Sequence, residues 1–250
     1  MRHLCSAFCL ALCCLRPSTG GSQTVSPSAF QEQAKASALD GKSISAVHLF
    51  GTAEWIAGSL HESGDATLSA KLDGSSKVEL SLSTSSRTEM QSPSGSGRTC
   101  HWTDATGADH RISRANCLIA IPWFAPTLFT QLSPLQPATL VITDDGSITK
   151  DGVTYHQISY HHACDSDNVV PKKWMKDIGA VKVFYEPVTL LPSTLSYVLQ
   201  SDRNQLQGIE VSVVFSDYRR TDGIMLPFHI ERYIQRTLQL TLNITNASIE

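Results

Sequence analysis

The densest set of side chains able to do chemistry is His161-His162-Ala163-Cys164-Asp165. A zinc site needs three or four N, S or O donors around one point. On a strand, His161 and His162 face opposite sides, so at most one of them easily joins Cys164. His101 and His110 are scattered, and no second segment has ligand spacing. The cluster therefore reads as a polar strand end running into a loop. Cys164 as a nucleophile needs a depressed pKa from a partner histidine or a helix N-terminus. Adjacent histidines signify little in a chain that has nine. No G-x-S-x-G stretch marks a serine hydrolase, and no glycine loop cradles phosphate. The acid pairs Asp144-Asp145 and Asp165/Asp167 fall in turn-like sequence, where aspartate bonds the local backbone. No catalytic residue, metal or cofactor is assigned, and the chain reads as a non-enzyme.

The elements that would position any site begin after residue 25. Arg2 and His3 open the chain, and Leu4 to Leu15 is an almost unbroken apolar run followed by Arg16-Pro17-Ser18-Thr19-Gly20-Gly21-Ser22. That order is a secretory signal peptide, and the run is shorter than the ~20 residues that span a bilayer. Phe8, Leu12 and Cys13 precede Cys9, Cys13 and Cys14, and none is the small residue that lipidation favours. Ordinary cleavage within Ser18 to Ser26 is expected, leaving a soluble exported domain at 26–250. With Arg2 and Arg16 removed from 20 basic residues, set against 23 acidic ones, the mature charge is −5. An acidic chain without a basic face is a poor partner for nucleic acid.

Cys100, Cys117 and Cys164 remain in the mature part. An oxidising compartment makes one disulfide and one thiol the expected outcome. Cys100 and Cys117 are nearest in sequence and flank the turn-like Thr103-Asp104-Ala105-Thr106-Gly107, so they are paired and Cys164 is left reduced.

Residues 29–40 favour helix, with Gly41 as a stop. Strands then dominate. Ala66, Leu68, Ala70 and Leu72 alternate with polar residues, as do Val78, Leu80 and Leu82, and Asp73-Gly74 marks a hairpin. A loop at 73–75 would set Leu68 against Leu80, because a one-residue slip swaps the faces. Ile209, Val211, Val213 and Phe215 share one face, and Leu238, Leu240, Leu242 and Ile244 another. Further strands are expected at 47–55, 86–91, 98–103, 138–143, 152–162, 180–186, 194–200 and 226–235. Turns are expected at Asp145-Gly146, Asp151-Gly152 and Asp222-Gly223, with a hairpin tip in Ser92 to Gly97. Roughly ten closely spaced strands with one buried face argue an antiparallel sheet or barrel rather than a parallel α/β fold.

Asn116 to Leu132, NCLIAIPWFAPTLFTQL, is strongly apolar, and Pro122 and Pro126 keep it out of regular helix and central strand. It is expected to lie on the sheet as a short helical plug. Ile119, Ile121, Trp123, Phe124, Leu128 and Phe129 are then the candidate contacts to an apolar ligand beneath it. Pro171-Lys172-Lys173-Trp174-Met175-Lys176 reads mainly as a solvated loop, and a peripheral membrane contact is its second reading. The sequons at Asn243 and Asn246 matter only in a glycosylating pathway.

In the last third, Val183-Phe184-Tyr185-Glu186-Pro187-Val188-Thr189-Leu190-Leu191-Pro192 precedes Val213-Val214-Phe215-Ser216-Asp217-Tyr218-Arg219-Arg220, and Asp222-Gly223-Ile224-Met225-Leu226-Pro227-Phe228 follows. Over residues 180–245 this string resembles bacterial periplasmic lipoprotein carriers of the LolA/LolB type and related lipoprotein-sorting proteins. The resemblance implies a curved antiparallel half-barrel with its concave face under short helices, a cavity for acyl chains, no chemistry, and envelope lipoproteins among its partners. The Pro-rich plug and the 100–117 bridge have no counterpart in that pattern. The reading is an exported, periplasmic binder of a lipid or lipoprotein acyl chain. An envelope interaction module with a filled core is the alternative, and a metal- or thiol-dependent enzyme ranks last.

Overall fold

The computed structural model describes residues 27–94, 97–113, 116–117, 121–131, 140–162, 180–201 and 207–250. The signal segment, Ile119, Cys164, Asp165, Asp167 and the 171–176 patch lie outside these. One helix, α1 (Pro27–Leu39), opens the described chain. Phe30, Ala34 and Ala38 recur every four residues and are buried, so one stripe of α1 packs inward. It ends at Asp40 and Gly41, both at positive φ, where the stop was expected.

Thirteen strands follow among the described residues, one more than the twelve segments expected from the sequence. They are β1 (Ala46–Ala57), β2 (Leu60–Lys71), β3 (Ser76–Leu82), β4 (Ser86–Ser94), β5 (Gly97–Thr103), β6 (Asp109–Arg111) and β7 (Leu140–Lys150), then β8 (Val153–His162), β9 (Val181–Tyr185), β10 (Pro192–Gln200), β11 (Gly208–Thr221), β12 (Ile224–Ile234) and β13 (Thr237–Ile249). A short 3-10 helix, Pro126–Gln131, stands between β6 and β7. All the strands join one open antiparallel sheet in the order β6-β5-β4-β3-β2-β1-β13-β12-β11-β10-β9-β8-β7. Two meanders thus run outward from a central β1–β13 pair, and the edges are β6 and β7. Strand β6 escapes sequence reading because Asp-His-Arg has neither length nor apolar alternation.

Register corrects the sequence at three points. Leu68 pairs with Val78 and Ala66 with Leu80. Apolar faces apolar and the loop has three residues, as expected, but the loop is 72–74. Lys71 N donates to Ser75 O at 2.8 Å and Gly74 N to Lys71 O at 3.0 Å, with Gly74 at φ +87°. That left-handed glycine fixes the closure one residue earlier than the Asp-Gly signal implies. Asp145-Gly146 is not a turn. Asp144 pairs with Ile158 and Gly146 with Gln157, so Asp145 is the extra residue of a bulge inside β7. Its carboxylate accepts from Gln157 Nε2 at 2.6 Å and from the Ser159 hydroxyl across the strand pair. Asp144, also read as a turn residue, instead meets His156 Nε2 at 2.7 Å. The turn lies at Asp151-Gly152, as Asp222-Gly223 closes the β11–β12 hairpin. Finally, Arg232 pairs with Leu240 and Tyr233 with Leu238. The bulge at Gln239 takes Leu238 off the face that keeps Leu240, Leu242 and Ile244 buried.

Curvature follows from one contact. Glu89 on β4 and Arg232 on β12 are five strand spacings apart, about 24 Å in a flat sheet at ~4.8 Å per strand. Their charged ends meet at 2.6 Å. Only a sheet bent into a trough brings them together. The buried core lines the trough with one face of nearly every strand: Val47 and Leu49, Leu68, Val78 and Leu80, Val183, Leu195, Val213, Ile230 and Leu242. Gly51 sits at a β1–β13 bulge, and an added Cβ there would stand 2.1 Å from Asn243 O on β13. Close backbone approach at that point is part of the bend. Glu62, buried on β2, grips the β3–β4 turn by accepting from the Thr84 hydroxyl, from Thr84 N at 3.2 Å and from Ser85 Oγ at 3.0 Å.

Two outcomes are expected. Gly51→Ala should lower unfolding free energy by about 1–3 kcal/mol in urea titrations, since a fixed backbone atom must move. An unchanged midpoint would mean that the central pair has room to part. The Thr84 hydroxyl bond holds the Glu62 carboxyl below its ordinary 4.5 although burial opposes it. A depressed carboxylate stabilises fully above that value and loses its contribution as pH falls through the folded pKa. Wild type should therefore exceed Glu62→Gln in stability at pH 7, with the gap narrowing in denaturation series below about pH 4.5. A gap constant down to pH 3 would assign the effect to packing.

Candidate functional site

The Pro-rich segment covers the concave face as expected and is tied to it on several sides. Pro126, whose missing N–H is no loss at a first helical position, opens the 3-10 helix. Thr127 Oγ1 donates to Met225 O at 2.7 Å, at the start of β12. Gln131 bonds the backbone of Ile44 both ways, accepting from its N at 3.1 Å and donating to its O at 3.2 Å. Asn116 does the same to Gln200 on β10, accepting from its N at 2.7 Å and donating to its O at 2.9 Å. The Cys100–Cys117 disulfide joins β5 to the start of the segment, with the Cα atoms 5.6 Å apart. Trp123 Nε1 donates to Glu89 Oε2 at 3.0 Å.

The candidate residues divide. Phe124, Leu128 and Phe129 are core side chains at 0, 4 and 2% exposure. Phe124 meets Trp123 edge-on and Phe129 meets Tyr160 edge-on. They fill the trough. Ile121 and Trp123 line a cavity of about 540 Å³, and Ile119 lies outside the described residues. Strand β12 shows the division along its length: Met225 at one end receives the plug, while Arg232 and Ile234 at the other face the cavity.

Apolar walls come from Val78 and Leu80 on β3, Leu199 on β10, Val211 on β11, Ile234 on β12 and Leu240 on β13. The disulfide and Trp102 lie at the β5 side. Across one part of the wall runs a polar group that sequence reading missed: Trp55, Arg87, Glu89, Gln91 and Arg232. Arg232 is 7% exposed. Its guanidinium stands 4.6 Å from the Trp123 ring centroid and 5.8 Å from that of Trp55, and Arg87 lies 4.5 Å from the Trp55 ring. Desolvated cation–π contacts of this kind contribute ~2 kcal/mol. Burial pushes the Tyr197 hydroxyl well above its usual value, against the lowering effect of Arg232 and with Glu89 adding to the rise. A signal for Arg232 was present: it sits two residues from Ile230 and from Ile234, on the parity of the buried face. Arg87, Glu89 and Gln91 share one parity too, and as a polar row they read as a wet face.

The arrangement suits holding an apolar body beside a few fixed polar groups, as small-molecule cavities of 300–1,000 Å³ commonly do. No three His, Cys, Asp or Glu side chains converge as metal ligands among the described residues. No helix among them is long and apolar enough to cross a membrane.

No protein-family model matches the sequence, and no curated protein matches it either. Solved structures do match. An outer membrane lipoprotein-sorting protein domain from Vibrio parahaemolyticus superposes at TM-score 0.51 with 9% identity, over 88% of this chain and 91% of that one. A DUF1329 family protein from Desulfovibrio piger gives 0.51 and 12% identity over 90% and 94%. A LolA superfamily protein from Nitrosomonas europaea gives 0.51 and 9% over 90% and 94%. At such identities the likeness is one of architecture, and it agrees with the bent open sheet and its internal plug: the chain has a LolA-like fold.

Proposed function

We propose that this chain is an exported, non-catalytic carrier that holds a lipid or lipoprotein acyl chain in its half-barrel cavity. In this reading residues 1–25 are a cleaved signal peptide, and 26–250 form one soluble half-barrel domain working in the periplasm. The observation that carries it is the 540 Å³ cavity between plug and sheet, with its predominantly apolar surface. Empty apolar surface is unfavourable at ~25 cal/mol per Å², and an acyl chain removes it from water without any directional demand. The lipoprotein-sorting domain of the same architecture supports this choice of ligand class. Envelope lipoproteins would be its partners, as donors or recipients of the bound chain.

The plug serves as a lid in this reading. Its Trp123 closes the cavity through one hydrogen bond to Glu89 and one ring face on Arg232. Opening would part these two contacts and the edge-on contact of Trp123 with Phe124. A rival reading, an interaction module with a filled core, draws on Phe124 and Phe129, which are buried in the trough.

Titration of the processed protein with an environment-sensitive apolar dye decides between them. Saturable micromolar binding displaced by fatty acid is expected, and Trp123→Ala should shift its affinity by threefold or more. A native fold with no saturable binding and no co-purifying lipid would mean a filled core.

A further inference from the structure

The cavity wall holds donors without acceptors. Trp55 Nε1, Arg87 Nε and Arg232 Nε are each buried with no hydrogen-bond partner among the described residues, and so is Gln91 Nε2. A lone acceptor, Gln239 Oε1, is in the same condition. All five residues line the cavity. The two glutamine amides can be turned either way, but indole and guanidinium nitrogens only donate. The excess of donors is therefore fixed by residue type.

These donors stand together. Both guanidiniums lie within 6 Å of the Trp55 ring centroid, at 4.5 and 5.8 Å. Their existing partners leave capacity unused. Arg232 gives Nη1 to Glu89 at 2.6 Å. Arg87 approaches Glu62 only at 3.9 Å, and that carboxylate is already engaged by Thr84 and Ser85. Among the described lining residues, two guanidiniums face one carboxylate, Glu89. Arg232 and Gln91 are 7 and 6% exposed, so bulk solvent does not satisfy them. Leaving a buried donor unpaired forfeits its lost hydration without return, and buried polar groups are as a rule paired. An aliphatic chain alone would leave every one of these donors unpaired.

We propose that the cavity receives an anionic amphiphile head-first, with a carboxylate or phosphate head accepting from Trp55, Arg87 and Arg232 and the chain running along Val78, Leu80 and Leu240. This rests on the carrier reading and narrows its ligand: the bound molecule is recognised by an acidic head as well as by its apolar length. Planar guanidinium forks match oxyanion geometry, which is why the head is anionic and not a hydroxyl or amide.

Calorimetric titration of the mature protein at pH 7 tests this with five probes: monomeric dodecanoate, dodecyl phosphate, dodecanol, acetate and inorganic phosphate. Dodecanoate and dodecyl phosphate should bind at least tenfold more tightly than dodecanol, while acetate and phosphate alone show no saturable binding. Arg87→Met should bring the acidic probes to within threefold of dodecanol. Arg87→Lys serves if the methionine variant fails to fold; it keeps the charge, loses Nε and the fork, and should lose most of the preference. Equal binding of dodecanol and dodecanoate, indifferent to Arg87, would overturn the acidic-head proposal and leave the carrier reading standing. Binding of neither would overturn the carrier reading itself. Arg87-dependent binding of acetate or phosphate as tight as that of the chain-bearing probes would make this a free-anion site, against the proposal.

Discussion

The bend of the sheet is the constraint on which the other features depend. An open antiparallel sheet with one apolar face must cover that face, and thirteen strands present more of it than a single 13-residue helix can shield. Folding the sheet toward itself solves most of the problem, since residues of the two meanders then bury one another. The Glu89–Arg232 contact marks where the two walls come within reach. The bulges at Phe50/Gly51, at Gln239 and at Asp145 break regular pairing where the strands turn, and bulges raise local twist. Gly51, with no room for a Cβ, belongs to the same device.

What remains uncovered decides where the plug goes. At one end of the trough α1 and the 3-10 helix pack against β12 and each other. Phe30 stacks on His156 at 3.7 Å there and meets Tyr185 edge-on. Phe124 and Phe129 complete that end, each worth roughly 1.5–3 kcal/mol on burial. Toward the other end the plug narrows to Ile121 and Trp123, and the cavity opens. The Cys100–Cys117 bridge and the Asn116–Gln200 pair hold its entry to both walls. The plug is thus anchored at its ends, with Trp123 between them buried against Phe124, Glu89 and Arg232.

Much of this was legible from residue pattern. Period-two alternation located the major hairpins, and Pro122 with Pro126 placed their segment on the sheet instead of in it. The pairing of Cys100 with Cys117 followed from proximity and compartment. Exact register was not legible, because an Asp-Gly dipeptide marks a turn without saying which flanking residue closes it. Leu238 was misassigned for a related reason: a bulge adds one residue without leaving a signature in hydrophobicity. Asp145-Gly146 looked like a turn and proved a bulge, the same dipeptide serving two backbone tasks. Within the site, Ile121 and Trp123 were found by apolar surplus. The polar lining was not, since a polar row on β4 reads as solvent-facing unless the bend that buries it is known.

That last point carries a physical consequence. Inward-facing Arg87 and Arg232 are costly in a trough built from Val, Leu and Ile, because desolvating a charge takes several kcal/mol even after relaxation. A core selected for stability alone would replace the Glu89–Arg232 pair with aliphatic residues of similar volume. The pair instead sits on two walls that meet only because the sheet is bent. It is capped by Trp123 on one side and by Trp55 on the other. Its cost is offset by those ring faces and by the 2.6 Å contact, and the offset is incomplete at the Nε positions. The trough therefore has two zones set by different physics. One is sealed by aromatic packing and is insensitive to what else is present. The other is held open by partly satisfied guanidiniums, which favour any occupant that brings oxygen acceptors along with apolar surface.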